Sequence, residues 1–287
     1  MALPEVASVS ATTKTSASVE IAVGARFAFG RNWKRYSRGV TEDSIEQAEA
    51  SLTNWLSVDR LNGSRFLDVG CGSGLFSLAA RRLGATVHSF DYDPDSVQCT
   101  LELRHKWRGE DPAWTVEIGS VLDRSFIERL GKYDIVYSYG VLHHTGDLWR
   151  ASDNVAIPVK PGGMLWIAVY NDQAWKSRVW RRIKRFYVSG FLGKLLVSTV
   201  FIPYWIARGG AADLLRLRNP ISRYRRHSDA RGMWLITDWL DWLGGYPFEV
   251  ATPEAVFDFY FGRGFTLTRL RTVGGRLGNN WWLFVRQ

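Results

Sequence analysis

The sequence predicts an α/β fold in which a mainly parallel sheet is covered by helices on both faces. Short apolar runs alternate with helical patterns from residue 64 onward. A glycine-rich segment, LDVGCGSGLF at 67–76, joins the first apolar run to the first helical pattern. Parallel strands need crossover connections that can hold a helix, and this alternation provides them.

Each predicted element follows from its pattern of apolar residues. Asp93-Pro94 is a helix-start signal, and Pro161-Gly162-Gly163 indicates a turn before a strand. The predicted strands are 65–69, 86–90, 114–118, 133–137, 164–170, 265–270 and 280–286. The predicted helices are 44–56, 74–83, 95–107, 125–130, 148–159 and 253–261.

Changes in composition predict the domain organisation. We expect a disordered leader over 1–20, a helical N-terminal cap segment over 21–60 and a cofactor-binding core over 61–170. Residues 171–245 interrupt the alternation with a basic helical insertion that holds six of the 14 tryptophans. We expect this insertion to cap the substrate, and 246–287 to complete the core sheet.

Charge and cysteine content narrow the class of protein. The net charge is +9, and residues 174–245 contribute 14 lysines and arginines against four acids. Cys71 and Cys99 are the two cysteines, which indicates a reducing compartment, and the first 20 residues lack the features of a secretory signal. We therefore expect a cytoplasmic protein. The longest apolar run, 195–207, is too short to span a bilayer and predicts a buried or interfacial helix.

The glycine loop predicts the cofactor. Gly70, Gly72 and Gly74 have the spacing G-x-G-x-G, whereas a dinucleotide fingerprint needs G-x-G-x-x-G, which argues against an NAD-dependent oxidoreductase. Asp68, two residues before the first glycine, repels a pyrophosphate and suits a cation. S-adenosylmethionine carries an ammonium and a sulfonium and no phosphate, so we expect it here. Asp91 ends the second strand and can bind a ribose diol, although a dehydrogenase would use the same acid.

At these residues the chain resembles the class I S-adenosylmethionine-dependent methyltransferases, in particular the small-molecule branch with quinone-biosynthesis and natural-product enzymes. The resemblance covers roughly residues 60–170. It implies a Rossmann-like seven-stranded class I methyltransferase sheet, with 280–286 as an antiparallel last strand. The motifs that carry it are LDVGCGSG (67–74), FDYDP (90–94), GSVLD (119–123), YDIVYSYGVLHHT (133–145) and VKPGGMLWI (159–167).

The resemblance also implies which residues contact the cofactor. Many members have an aspartate where this chain has Ser120, so a contact with adenine N6 does not follow. The implied contacts are Asp68, Gly70 and Gly72 with the methionine moiety, Asp91 with the ribose, Tyr92, Ser120 and Val121 with the adenine, and Tyr139 near the reactive end, with Gly74 as a further cofactor-binding residue.

The segment FAFGRNWKRYS at 27–37 resembles an aromatic and polar segment that folds over the cofactor in related enzymes. We expect Arg31 or Asn32 to meet the cofactor carboxylate, and a packing segment is the alternative. The residues that we assign to the substrate are Trp33, Tyr36, Tyr170 and Trp239.

His143 and His144 follow the fourth strand, and strand ends line the ligand crevice in this fold. Either could be a general base, or both could only shape the wall. We expect no metal.

These features predict methyl transfer from S-adenosylmethionine to a small-molecule hydroxyl, with S-adenosylhomocysteine as the cofactor product. The alternatives are N- or C-methylation of a lipid-like acceptor at the membrane surface, a tRNA methyltransferase, and a catalytically silent cofactor-binding protein. The basic insertion could accordingly bind an anionic small substrate, lie on an anionic membrane or bind RNA, or be only a solvated basic face. We expect a small-molecule partner first, peripheral membrane contact second and nucleic acid last. The oligomeric state is unknown from the sequence.

Overall fold

The computed structural model describes residues 16–37, 39–219 and 235–287. It contains a seven-stranded sheet of order β3-β2-β1-β4-β5-β7-β6. The first five strands are parallel, and β7 is antiparallel to both β5 and β6. The predicted fold class is therefore confirmed, including its antiparallel last strand. The strands are β1 (Arg65–Val69), β2 (Thr86–Asp91), β3 (Trp114–Ile118), β4 (Tyr133–Tyr139), β5 (Val159–Tyr170), β6 (Phe265–Arg271) and β7 (Asn279–Arg286).

Helices cover both faces of the sheet, because successive side chains of a strand point to opposite faces. The described helices are α1 (Ser16–Ala22), α2 (Phe29–Ser37), α3 (Glu42–Leu56), α4 (Leu75–Arg82), α5 (Pro94–Arg108), α6 (Arg124–Arg129), α7 (Leu148–Ala156), α8 (Trp175–Val188), α9 (Phe191–Leu215), α10 (Leu235–Gly244) and α11 (Pro253–Phe261). Phe66 and Trp166 pack towards α3 and α4 on one face, and Leu67 and Val136 pack towards α6, α7 and α11 on the other.

Helix starts follow the signals in the sequence. The Thr41 side chain accepts a hydrogen bond from the backbone N–H of Ser44 in a capping box that opens α3. Asp93 caps α5 by accepting from the N–H of Asp95, with Pro94 in the first turn. These caps place the start of α5 directly after β2, beside the glycine loop.

The turn predicted at 161–163 is wrong, because these residues lie inside β5. Val159 pairs with Tyr133 and Met164 pairs with Ile135, so the strand carries extra residues at an irregularity. Gly162 has a φ of 72° there. A bulge of this kind uses proline and glycine without ending the strand.

The N-terminal leader also differs from the prediction over its last residues. Residues 1–15 lie outside the described part of the chain, but Ser16–Ala22 form α1. The Tyr92 hydroxyl forms hydrogen bonds with Ser16 Oγ at 2.7 Å and with Glu20 Oε1 at 2.8 Å. These contacts with the loop after β2 hold α1 in place.

The insertion after β5 forms a helical cap. Helices α8, α9 and α10 pack around Tyr187, Val188, Val197 and Leu243. Residues 220–234 of the predicted insertion lie outside the described residues. Helix α9 extends the apolar run at both ends, so the estimate that this segment is too short was wrong. Within the described residues it is the one helix long and apolar enough to cross a membrane by length and composition.

Candidate active site

The glycine loop between β1 and α4 needs its glycines for conformation and for space. Gly70, Gly72 and Gly74 have φ values of 76°, 55° and 80°, in the left-handed region. A Cβ on Gly72 would lie 2.9 Å from the Trp33 indole. A Cβ on Gly74 would lie 2.8 Å from the Thr100 methyl group. The loop therefore lies tightly between α2 and α5.

Asp68 lies under this loop at the end of β1 and is buried. Ser77 Oγ donates to Asp68 Oδ2 at 2.5 Å, and Ser77 and Ser89 share a hydrogen bond of 2.7 Å. Trp114 Nε1 donates to Ser89 Oγ at 2.8 Å. Burial raises the pKa of Asp68 to about 7, against the opposing effect of the Ser77 hydrogen bond.

Asp91 is a second, half-buried carboxylate at the end of the neighbouring strand β2. Its Oδ2 accepts the N–H of Gly72 at 3.0 Å, and its Oδ1 accepts the N–H of Asp93 at 2.9 Å. Burial raises its pKa to about 6, although both backbone hydrogen bonds oppose the shift. Asp91 thus ties the β2 end to the glycine loop.

Both carboxylates border one cavity of about 1470 Å³ at the carboxyl edge of the sheet. This is where open α/β sheets bind ligands. Most of the residues predicted from the sequence meet on its wall. They are Asp68, Gly70, Gly72, Asp91, Tyr92, Ser120, Val121, Tyr139, His144, Trp33, Tyr36, Tyr170 and Trp239.

Four predicted site residues lie off this wall. Gly74 forms the N-cap of α4 behind the loop. Arg31 is exposed on α2 and borders a small separate hollow near Asp95, and Asn32 is buried in the same helix. His143 is fully buried. The structure therefore does not place Arg31 or Asn32 where we expected a cofactor carboxylate.

The basic residue that the N-terminal segment brings to the cavity is Arg26. Its guanidinium donates to the carbonyls of His144 at 2.7 Å and Thr145 at 3.3 Å, and it forms an ion pair with Glu20 at 2.7 Å. It also lies 4.9 Å from the centre of the Tyr92 ring. Residues 16–37, which we call the N-terminal arm, are joined in this way to the loops after β2 and β4.

The two histidines have different tautomers. Pro247 O can only accept, so His144 Nδ1 carries the proton in their 2.7 Å hydrogen bond and Nε2 is left unprotonated. Tyr170 N–H donates to His143 Nδ1 at 3.3 Å, which leaves the His143 proton on a buried Nε2 without a partner among the described residues. Burial, with Lys184 and Arg26 nearby, lowers the pKa of His144 to about 3. His144 is therefore the neutral imidazole on the cavity wall.

The cavity extends beyond the carboxylates into an aromatic half. Trp55 stacks on Trp166 with ring centres 5.2 Å apart, and Trp281 lies 5.2 Å from both Trp55 and Tyr139. Arg271 lies 4.6 Å above the Trp281 ring. Unlike Tyr139, the residues Trp55, Trp166, Trp281 and Arg271 were not predicted, because no local pattern marks which tryptophan or arginine faces a cavity.

The cap closes the cavity from the other side. Trp205, Arg208 and Gly209 of α9 border it, and the Trp205 ring lies 5.4 Å from that of Trp239. In the residues described, no group of three or more histidine, cysteine or acidic side chains could hold a metal ion.

Comparison with known proteins agrees with this geometry. Residues 67–165 match the family model described as Methyltransferase domain. The ubiquinone biosynthesis O-methyltransferase of Brucella melitensis is 26% identical over 149 residues, which are 52% of each chain. Its counterpart in Chelativorans sp. is 26% identical over 147 residues, 51% of this chain and 50% of that one. The chain spans about half the length of these curated relatives.

A solved structure supports the fold over most of the chain. Magnesium protoporphyrin IX methyltransferase from Synechocystis PCC 6803, determined with bound SAH, has a TM-score of 0.53 and 16% identity. The superposition covers 90% of this chain and 94% of that chain. The matched domain model covers 99 of the 287 residues, and the likeness to the solved methyltransferase supports the fold over most of the chain.

Proposed function

We propose that this chain binds S-adenosylmethionine and transfers its methyl group to a hydroxyl oxygen of a small-molecule acceptor. The observation that carries the proposal is the pair of carboxylates, buried Asp68 and half-buried Asp91, on the wall of one cavity. Burial and mutual repulsion make their charge costly, and a cationic cofactor without phosphate relieves that cost.

Different residues on the cavity wall would contact different parts of the cofactor. Asp68 would bind the ammonium end, beside the glycine-loop backbone. Both oxygens of Asp91 are held by backbone N–H groups and keep lone pairs for the two ribose hydroxyls. Tyr92, Ser120 and Val121 would border the adenine, and Tyr139 the reactive end.

The chemistry needs little more than alignment. When bound, S-adenosylmethionine supplies an activated methyl group, whose bond to sulfur breaks with the electron pair left on sulfur, while the acceptor oxygen gains the methyl and loses a proton. The walls of the cavity exclude water and hold the acceptor in line. His144 Nε2 is an unprotonated acceptor for the hydroxyl proton, because Pro247 fixes the tautomer.

The aromatic half suits the acceptor. Trp55, Tyr139 and Trp281 offer flat apolar surfaces, and Arg208 and Arg271 bring positive charge to the wall. This combination favours a ring-bearing acceptor with an anionic group. The relatives named as O-methyltransferases support oxygen as the accepting atom. Both cysteines are free and buried, which agrees with a cytoplasmic location.

Label transfer tests the proposal against the alternatives. The purified chain would be incubated with methyl-labelled S-adenosylmethionine and separate small-molecule, lipid, RNA and protein fractions of its source cells. We expect label in the small-molecule or lipid fraction, released by treatment specific for O-methyl groups. Label in RNA or protein would contradict the substrate class. Cofactor binding without transfer to any fraction would instead support a silent binding protein.

A further inference from the structure

Helix α9 is apolar on its outward face as well as on its inward face. Gly193, Val197, Phe201 and Trp205 recur at every fourth residue, and the latter three belong to the apolar cluster of the cap. The side that faces away from this cluster is also aliphatic. Its residues include Leu192, Leu195, Leu196, Val200 and Tyr204, exposed by 68%, 46%, 54%, 62% and 55%.

An apolar helix of this length is normally buried in a core or in a membrane. Here, only 6% of the most apolar 18-residue window of α9 is buried. Helix α8, joined to α9 by residues 189–190, adds exposed Trp175, Val179 and Phe186. An exposed patch of this size indicates an interaction surface.

The charge around this patch has one sign. Residues 174–219 contain ten lysines and arginines and one acid, Asp213, which is buried. Lys176, Arg178, Arg182 and Arg185 of α8 and Lys194 of α9 are exposed. The partner must therefore be apolar and anionic at once. A second copy of this chain would bring like charges together, because a two-fold contact places the same patch on both sides. RNA offers no hydrocarbon surface for the aliphatic face.

We propose that the outward faces of α8 and α9 dock the protein on an anionic lipid bilayer. Aromatic and aliphatic side chains enter the interface while the basic side chains meet the lipid headgroups. The helix lies on the bilayer and does not cross it, because its inner residues pack in the cap and Arg208 would fall within the hydrocarbon.

The same helix borders the cavity through Trp205, Arg208, Gly209 and Ala212. Docking therefore places the cavity wall directly above the bilayer surface, where a lipid-embedded acceptor can reach it. This last step rests on the proposed methyltransferase function, whereas docking itself does not.

Co-sedimentation with vesicles tests docking on the full chain. Phosphatidylcholine vesicles with and without phosphatidylglycerol would be compared at low and high salt. We expect binding to the anionic vesicles that weakens as salt rises, and weaker binding to the neutral ones. In the double variant Leu192→Glu/Val200→Glu, we expect partitioning into the anionic vesicles to fall by about tenfold or more. The reason is that two apolar side chains, which would be buried in the bilayer, are replaced by charged ones.

The matched control is Phe261→Glu/Leu270→Glu, which adds the same charge at exposed apolar residues of α11 and β6. It should bind the anionic vesicles nearly as wild type does. Wild-type protein that stays in the supernatant, or an α9 variant that binds like the control, would overturn the proposal. The proposal would also be overturned if the wild-type protein formed a dimer without lipid and the α9 variant were monomeric. Binding to tRNA but not to vesicles would overturn it as well.

Calorimetry with S-adenosylmethionine on the same preparations keeps the two proposals apart. Unchanged cofactor affinity in the α9 variant shows that it is folded. Docking without cofactor binding would contradict the proposed function alone, and cofactor binding without docking would contradict this inference alone.

Discussion

At the scale of single residues, Asp68 is supported by a directed chain of hydrogen bonds. The Trp114 indole can only donate, so Ser89 accepts from it and donates to Ser77, which in turn donates to Asp68. Every proton in the chain points towards the carboxylate. The chain therefore favours the ionised form that burial disfavours.

We predict that cofactor affinity rises with pH through neutrality. The pKa of Asp68 is raised to about 7, so much of it is protonated below that pH. A cationic ligand favours the carboxylate, hence binding near pH 7 should release protons and tighten as pH rises from 6 to 8. Titration calorimetry in buffers of different ionisation enthalpy measures the protons released.

Asp68→Asn should lose this pH dependence and bind the cofactor about tenfold or more weakly, because a charged hydrogen-bond partner is gone. The control is Asp258→Asn, on the exposed face of α11. Affinity that falls as pH rises, or an unchanged pH profile in Asp68→Asn, would contradict the role of this carboxylate.

The two histidines give a second residue-scale prediction. Asn at either position can keep the hydrogen bond made by Nδ1 while it removes Nε2. His144→Asn should lower turnover by about 10²-fold, the low end for a general base, because the pKa of His144 near 3 makes it a weak base. Cofactor affinity should hold.

His143→Asn, off the cavity wall, should lower turnover much less. Because His144 is neutral throughout pH 5–8, its titration should produce no step in the rate over that range. Steady-state rates of the two variants across pH measure both effects. An equal loss in both variants would show that the histidines act only through packing.

Site residues on the strand ends were predictable, and so were Trp33 and Tyr36 of the arm, but the basic residue that the arm brings to the cavity was not. Asp68 and Asp91 follow apolar runs, and in a parallel sheet such positions meet at one edge. Arg31 lies inside the aromatic motif at 27–37, whereas Arg26 lies directly before it and was not considered. Apart from Glu20, the partners of Arg26 are the carbonyls of His144 and Thr145, more than a hundred residues away along the chain, and no local pattern encodes them.

At the scale of elements, the N-terminal arm acts as a cover that is held at a few points. The backbone N–H of Gly30 donates to Asp93 Oδ2 at 2.8 Å, and Arg26 joins the arm to the loop after β4. The Phe29 ring lies 4.9 Å from the His144 ring. The arm thus borders the cavity next to both the proposed cofactor contacts and the proposed reacting groups.

Removing one of these contacts should loosen the N-terminal arm from the cavity. Arg26→Ala should weaken cofactor binding roughly tenfold to a hundredfold, because charge-assisted hydrogen bonds are worth about 1.5–3 kcal/mol. It should also speed limited proteolysis within 16–37. The matched control is Arg31→Ala on the exposed side of α2, for which we expect neither change. A larger effect of Arg31→Ala would restore the cofactor contact predicted from the sequence.

Helices and strands were predictable where the period of the apolar residues and the signals at the ends of the element agree. The bounds of β1, β3 and α11 match the prediction, since each apolar run has clear ends. The prediction of a turn at 161–163 was wrong, because proline and glycine are typical both of a turn and of a bulge within a strand. The extent of α9 was underestimated, because Lys194 and Arg208 end the apolar run whereas the helix continues past both.

At the scale of the whole molecule, the cavity is divided between two parts of the fold. The core contributes the carboxylates and the glycine loop, and the cap contributes Trp205 and Arg208. A substitution in the cap should therefore affect the acceptor without affecting the cofactor.

Trp205→Ala should raise the KM for the acceptor by up to about tenfold, because it removes one aromatic surface, while the cofactor Kd stays unchanged. The control is Trp149→Ala, whose ring packs on Phe259 at 5.0 Å outside the cavity. Steady-state kinetics with the acceptor found by label transfer make the measurement. A changed cofactor Kd would mean that core and cap are not separable in this way.

The position of β7 between β5 and β6 has a consequence for synthesis. The two carboxylates and the glycine loop are complete once residue 145 has left the ribosome, whereas Asn279 and Trp281 of the acceptor wall arrive with the last strand. Strand β6 cannot join the sheet before β7 does. A nascent chain therefore carries the residues of the proposed cofactor contacts well before it carries all of the wall that we propose for the acceptor.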